Sequence, residues 1–231
     1  MSAGRIVLWR HGRTAYNASA RLQGQIDIPL DEIGEWQVAT AAQALADRYT
    51  PARIVVSDLS RARATAAALS ALVDAPLTID ARVRERAFGD WEGLTSGEIA
   101  ERWPQEHTSW AAGGEPNRTG AETRAQVLTR VVEAVTEHAA PLGPHDTLVV
   151  VSHGAAISLG VIGLIGLTAD WRGISGLTNA HWAELHAGRA AGGPAWRLEG
   201  LNLGPTHASS DWNAGPDAVP DDLEDEVRDP A

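Results

Sequence analysis

Three short runs in this sequence are apolar at consecutive positions rather than at alternate ones: "RIVLW" (Arg5–Trp9), "RIVVS" (Arg53–Ser57) and "TLVVVS" (Thr147–Ser152). A strand with one wet face alternates, so a strand apolar on both sides needs cover on both faces. Between these runs the period becomes helical. Leu30–Arg48 spaces Val38, Ala42 and Leu45 along one face behind Asp31, a capping residue. "DLSRARATAAALSALV" opens with cap-competent Ser57 and Asp58 and continues as an alanine-rich helix. Ser96–Trp103 predicts a short helix halted by Pro104. Thr119–Ala139 predicts a long one, with Thr119 and Glu122 at capping-box spacing, and Ala155–Leu167 a third. Leu77–Asp80, "NAHWAEL" and "WRLEGL" add strands. The pattern predicts an α/β fold: a three-layer sandwich with a mostly parallel central sheet and helices on both faces.

In such sheets a site lies beyond the carboxyl ends of the strands. The first run leads into Arg10, His11 and Gly12, the second into Asp58, Ser60 and Arg61, the third into His153 and Gly154. Each lies near a helix start, where free N–H groups favour an anion. A single histidine at a strand end is more often a cap or a surface group than a catalyst. Here "RHG" and "SHG" repeat the arrangement, each with a glycine that permits close backbone approach. His107, His138, His145, His186 and His207 are assigned no role. His181 and Glu184 lack a third ligand-like neighbour, so no metal is expected.

Composition removes several chemistries. The chain has no cysteine and no lysine, since all 19 basic residues are arginine. Thiolate nucleophiles, disulfides and Schiff bases are therefore excluded. The net charge of −11 disfavours nucleic acid and anionic membranes as partners. Asp211–Ala231 holds eight acids against one base, with three prolines, and is read as a disordered acidic tail (206–231) behind a catalytic domain (1–205). Met1–Gly4 leads directly into a strand pattern and Ala155–Leu167 is too short to span a bilayer, so a cytoplasmic protein is expected.

Arg82–Thr95, "RVRERAFGDWEGLT", is dense in charge, glycine and tryptophan. One of its carboxylates is expected to enter an anion site. Glu85, Asp90 and Glu92 all qualify, and residue physics does not choose among them. The nine tryptophans are mostly core or interface material, with a minority free to line a cleft.

Taken in order, "LWRHGRTAYN", "RLQGQIDIPLDEIG", "SDLSRARATA", "RERAFGDWEG" and "VVVSHG" make the chain resemble the histidine phosphatase superfamily, with its phosphoglycerate mutase-like fold. The resemblance implies that His11 is the nucleophile that becomes phosphohistidine. It implies that Arg10, Arg61 and His153, with Gly154 beside it, hold the phosphoryl oxygens and that Glu85 is the proton donor. Asn17, Gln23 and Gly24 fall where phosphate or substrate is touched near the mouth. Arg13 departs from the acidic or amide residue common after "RHG". Physical chemistry agrees with these roles. Phosphoryl transfer needs positioning and charge stabilisation, and arginine forks bind phosphate oxygens at two points. Flanking guanidinium groups keep His11 neutral enough to attack. No metal and no cofactor is implied.

Mutases of this superfamily carry a longer, more basic insertion between the acid and the second histidine. Here the interval Glu85–His153 is compact, and its candidate lid, "PQEHTSWAAGGEPNRTGAETR", has only Arg118 and Arg124. Hydrolysis of a small phosphomonoester is therefore favoured. A cofactor-dependent phosphoglycerate mutase and an inactive phospho-ligand binding domain are the alternatives. "RLQGQIDIPL", "GDWEGLT", "TNAHWAEL" and "WRLEGLN" look like the actinobacterial glucosyl-3-phosphoglycerate phosphatase group, which implies a sugar or glycerate phosphate as substrate. The strand-rich last third leaves room for a homodimer.

Overall fold

The structure is a computed structural model that describes residues 2–188, 192–205 and 209–215. Its centre is a six-stranded sheet of order β3-β2-β4-β1-β5-β6. The strands are β1 (Arg5–Arg10), β2 (Pro51–Val56), β3 (Leu77–Ile79), β4 (Thr147–Ser152), β5 (Trp182–Ala187) and β6 (Trp196–Leu203). β1, β2, β3 and β4 run parallel, and β5 and β6 add an antiparallel edge. The consecutive apolar runs are the buried strands: all six residues of β4 are buried. Alternate side chains serve opposite faces. Ile6, Leu8, Leu148 and Val150 join one core layer, while Val7, Trp9, Val149 and Val151 join the other.

The helices are α1 (Ala15–Ala18), α2 (Glu32–Arg48), α3 (Ser60–Ser70), α4 (Ser96–Arg102), α5 (Pro104–Ala111), α6 (Arg124–Ala139) and α7 (Gly154–Leu164), and α4 and α5 pack apart from the sheet in a small cluster around Trp91. Residues of α6 and α7 form the first layer with the sheet, and residues of α2 and α3 the second. Asp31 caps α2 as expected, its side chain accepting from the Gly34 N–H at 2.7 Å.

Two local expectations are corrected and a third is extended. α3 is not capped by Ser57 or Asp58: Leu59 occupies the cap position, and Asp27, from a distant loop, accepts from both the Ser60 N–H (2.8 Å) and the Ser60 hydroxyl (2.7 Å). Pro104 ends one helix but also opens the next, since a first-turn proline loses no intrahelical hydrogen bond. α6 begins at Arg124 behind a Thr123–Gln126 capping box, not at Thr119. Glu122 is drawn off instead by Arg130 (2.7 Å) and the Ala87 N–H (2.9 Å).

Part of the stretch read as an acidic tail is described. Ser209–Ala214 forms α8, and Trp212 is buried against Trp36 at a ring separation of 5.1 Å. One large apolar side chain outweighs the surrounding charge. The remainder of the predicted tail, 206–208 and 216–231, lies outside the described residues.

Candidate active site

The register of the sheet builds the site. β1 and β4 are parallel neighbours paired from Arg5↔Thr147 to Arg10↔Ser152, so the next residues on the two strands are His11 and His153. The His11 N–H donates to the Ser152 carbonyl at 3.1 Å, extending the ladder by one rung. The imidazole rings then stand 5.1 Å apart between centroids, both buried. Arg10 leaves β1 beside them, and Arg61 enters from the first turn of α3, also buried. The Arg61 guanidinium is held by the Ile26 carbonyl (2.8 Å) and the Gly24 carbonyl (2.9 Å), and that of Arg10 by the Leu177 carbonyl.

Electrostatics follow from this packing. Burial, and then the charges of Arg61 and Arg10, hold the His11 imidazole well below its ordinary pKa. Burial and the same two arginines do likewise for His153. Both rings are therefore neutral near pH 7. His11 Nδ1 lies 2.6 Å from the Gly12 carbonyl, which can only accept, so Nδ1 carries the proton and Nε2 the lone pair. Among the described residues, Arg10 Nε, Arg61 Nε, Gln23 Oε1 and both ring nitrogens of His153 are buried without a hydrogen-bond partner. Buried polar atoms are ordinarily satisfied, so such a cluster marks a place built for a polar ligand.

A pocket of about 420 Å³ opens here and is lined by Arg10, His11, Asn17, Gln23, Gly24, Arg61, Glu85 and Gly154 among others. Glu85 is the acid that reaches it. Its carboxylate accepts from the Ala155 N–H (3.1 Å), the Ala156 N–H (3.0 Å) and the Arg86 N–H (2.8 Å). The other two candidates lie elsewhere. Asp90 is exposed, and Glu92 pins a turn, accepting from the Gln25 N–H (3.1 Å) and the Phe88 N–H (2.9 Å). The two motif glycines also differ. A Cβ on Gly12 would stand 2.5 Å from the Gly34 carbonyl of α2, whereas one on Gly154 would stand 3.5 Å from the Arg10 guanidinium, an ordinary contact. Gly24 sits at φ +52° with Glu92 against it.

A family model for the histidine phosphatase superfamily (branch 1) matches residues 6–202. The chain belongs to the histidine phosphatase superfamily. Within that superfamily it is 39% identical over 217 residues to a glucosyl-3-phosphoglycerate phosphatase of Mycolicibacterium vanbaalenii, covering 87% of this chain and 96% of the relative. It is 32% identical over 155 residues to a metal-independent phosphoserine phosphatase of Arabidopsis thaliana, covering 66% of this chain and 65% of the relative. A solved mycobacterial glucosyl-3-phosphoglycerate phosphatase in complex with VO3 superposes with a TM-score of 0.77 at 34% identity, covering 86% of this chain and 98% of that one.

Beyond its shared motifs, this histidine phosphatase has site residues that the sequence did not point to. Asn179, buried in the connection before β5, donates through Nδ2 to the carbonyls of His11 (3.2 Å) and Gly12 (3.3 Å) and to Asn17 Oδ1 (3.1 Å). Trp171 and Arg172 line the pocket from the same connection. "DWRGISG" resembles "FGDWEG" in density of charge, tryptophan and glycine, and that was the available signal. Arg13 lies outside the lining of this pocket. It bonds Asp31 Oδ2 at 2.9 Å and the Asn213 carbonyl at 2.6 Å, joining the N-cap of α2 to the C-terminal end of α8.

Proposed function

We propose that the protein is a phosphomonoesterase working through a phosphohistidine on His11, without a metal or cofactor, and that its substrate is glucosyl-3-phosphoglycerate or a closely related glycerate phosphate. The observation that carries the mechanism is the neutral His11 ring, its lone pair on Nε2, in one pocket with the Arg10 and Arg61 guanidinium groups and 5.1 Å from the neutral His153 ring. Nε2 attacks phosphorus. Arg10, Arg61 and His153 take the non-bridging oxygens, where charge must be stabilised. Glu85 delivers a proton to the departing alkoxide oxygen, and the P–O bond breaks as the P–N bond forms. Water then attacks phosphorus, Glu85 accepts its proton, the P–N bond breaks, and inorganic phosphate leaves.

The relatives' names support the substrate, since both glucosyl-3-phosphoglycerate phosphatases cited above cover most of this chain. Trp171, 39% exposed at the pocket, offers an aromatic face of the kind a sugar ring packs against. A cytoplasmic setting and a homodimer are part of the same reading.

The test is phosphate release from glucosyl-3-phosphoglycerate, 3-phosphoglycerate and p-nitrophenyl phosphate. Rapid release from the first, with slower release from the others, is expected. Turnover of the aryl phosphate with glucosyl-3-phosphoglycerate untouched withdraws that substrate. Conversion of 3-phosphoglycerate to 2-phosphoglycerate without free phosphate assigns a mutase, and inactivity on all three assigns a binding domain.

A further inference from the structure

The acid excess of this chain gives almost every arginine near a carboxylate a partner. Arg5, Arg13, Arg21, Arg48, Arg82, Arg84, Arg86, Arg118, Arg130 and Arg197 all make ion pairs with Asp or Glu. Among the described residues, four arginines that line the His11 pocket have guanidinium groups with no carboxylate within 4.0 Å: Arg10, Arg61, Arg124 and Arg172. The first two face the phosphoryl group. The second two are surplus to that task.

Arg124 opens α6 and Arg172 lies between α7 and β5, yet backbone carbonyls bring their guanidinium groups to the same wall. Arg124 Nε donates to the Ala169 carbonyl at 2.9 Å, its terminal nitrogen to the Trp171 carbonyl at 3.4 Å, and Arg172 to the Gly113 carbonyl. Of the acids near Arg124, Glu115 is already engaged by the Arg86 guanidinium and by the Arg124 backbone N–H, and Asp170 makes no ion pair with either arginine. Burial, and then the charge of Arg172, lower the Arg124 pKa, as expected for two cations sharing a pocket.

We propose that Arg124 and Arg172 form a second anion subsite that takes the carboxylate of a phosphorylated acid, so that the pocket selects substrates with two anionic groups. Guanidinium forks match a carboxylate bidentately, and only a substrate carrying one would gain from the pair. The proposal rests on the phosphatase reading above and deepens it.

The experiment measures kcat/KM on 3-phosphoglycerate and on glycerol 3-phosphate, which differ in the carboxylate, with p-nitrophenyl phosphate as a third substrate. Wild type is expected to favour the acid. In Arg172→Gln the acid-to-alcohol ratio of kcat/KM falls at least tenfold, chiefly through KM. Arg172→Lys, keeping charge without the fork, falls between the two, and Arg124→Gln behaves like Arg172→Gln. An equal loss on both glycerol compounds, or an unmoved ratio in a protein that still hydrolyses p-nitrophenyl phosphate, overturns the subsite alone. A wild-type protein that hydrolyses none of the three overturns the phosphatase reading, and the subsite with it.

Discussion

Replacing Asn179 with alanine tests whether His11, the proposed nucleophile, is held from behind. Its Nδ2 has two hydrogens and three acceptors within 3.3 Å: the His11 and Gly12 carbonyls and Asn17 Oδ1. None of these is orphaned by the change. The His11 carbonyl keeps the Ala180 N–H at 3.0 Å, the Gly12 carbonyl keeps His11 Nδ1 at 2.6 Å, and Asn17 Oδ1 keeps the Thr14 N–H at 3.2 Å. The loss is therefore two net hydrogen bonds without a stranded partner, about 1–2 kcal/mol. In a chain of this size that is a fall of roughly 2–8 °C in Tm by thermal unfolding. The functional effect is separable. Gly12 fixes the His11 tautomer, and without Asn179 its carbonyl has one anchor fewer. We expect kcat on p-nitrophenyl phosphate to drop about tenfold, equivalent to 1.4 kcal/mol of barrier, with KM nearly unchanged. Asn179→Asp, which sets a carboxylate against three acceptors, should do worse on both counts. A Tm within 1 °C of wild type together with kcat within twofold would refute the reasoning.

Further outcomes are expected. His11→Ala should abolish turnover and the acid-labile phosphoenzyme trapped with radiolabelled substrate, and undiminished activity removes the mechanism. The pH dependence has a definite sign. Both rings have native pKa values depressed well below 6.5, so neutral His11 persists on the acid side and the acid limb of kcat/KM should lie well under pH 6.5. A limb centred at or above that value contradicts the buried, arginine-flanked geometry. The same shifts favour folding fully above pH 6.5, and this contribution is lost as the unfolded chain takes up protons below it, so chemical denaturation should show stability falling from there. Chelators should leave the rate unchanged in a phosphate-release assay, and a strict need for a divalent ion overturns this. Trp212→Ala removes a buried aromatic and should cost about 3–5 kcal/mol in a urea titration, whereas an unmoved midpoint means α8 adds nothing to stability.

What could be read from the chain, and what could not, divides by range. β1, β2 and β4 were readable because full burial leaves a local mark, a run of consecutive apolar residues. Their order was not, because register is a contact between strands 142 positions apart, as in Arg5 and Thr147. The repeated His-Gly step stood in for that missing information. Capping failed where a tertiary partner outbid the local one. Asp27 reaches the start of α3 from a distant loop, and Arg130 claims Glu122 from one to two turns into α6. Asn179 and Arg172 carry no periodicity, and their roles exist only once the connection before β5 folds back over β1. α8 was not legible because net charge averages over Trp212, the residue whose burial holds that helix.

The proposed acid, Glu85, shows the same division within a single motif. "RERAFGDWEG" offers Glu85, Asp90 and Glu92 within eight residues, chemically near-identical in the sequence. What separates them is the helix that starts directly after His153. Free N–H groups at a helix start attract a carboxylate, and the first turn of α7 presents Ala155 and Ala156 to Glu85 at 3.1 and 3.0 Å. Glu92 instead finds its amides at Gln25 and Phe88, and closing that turn brings Gly24 under Arg61. The β1–β4 register thus sets the acid as well as the paired imidazoles, since His153 fixes where α7 begins and α7 fixes where Glu85 rests. A substitution that shifted the start of α7 would therefore move the acid relative to His11 even with every side chain of the site intact.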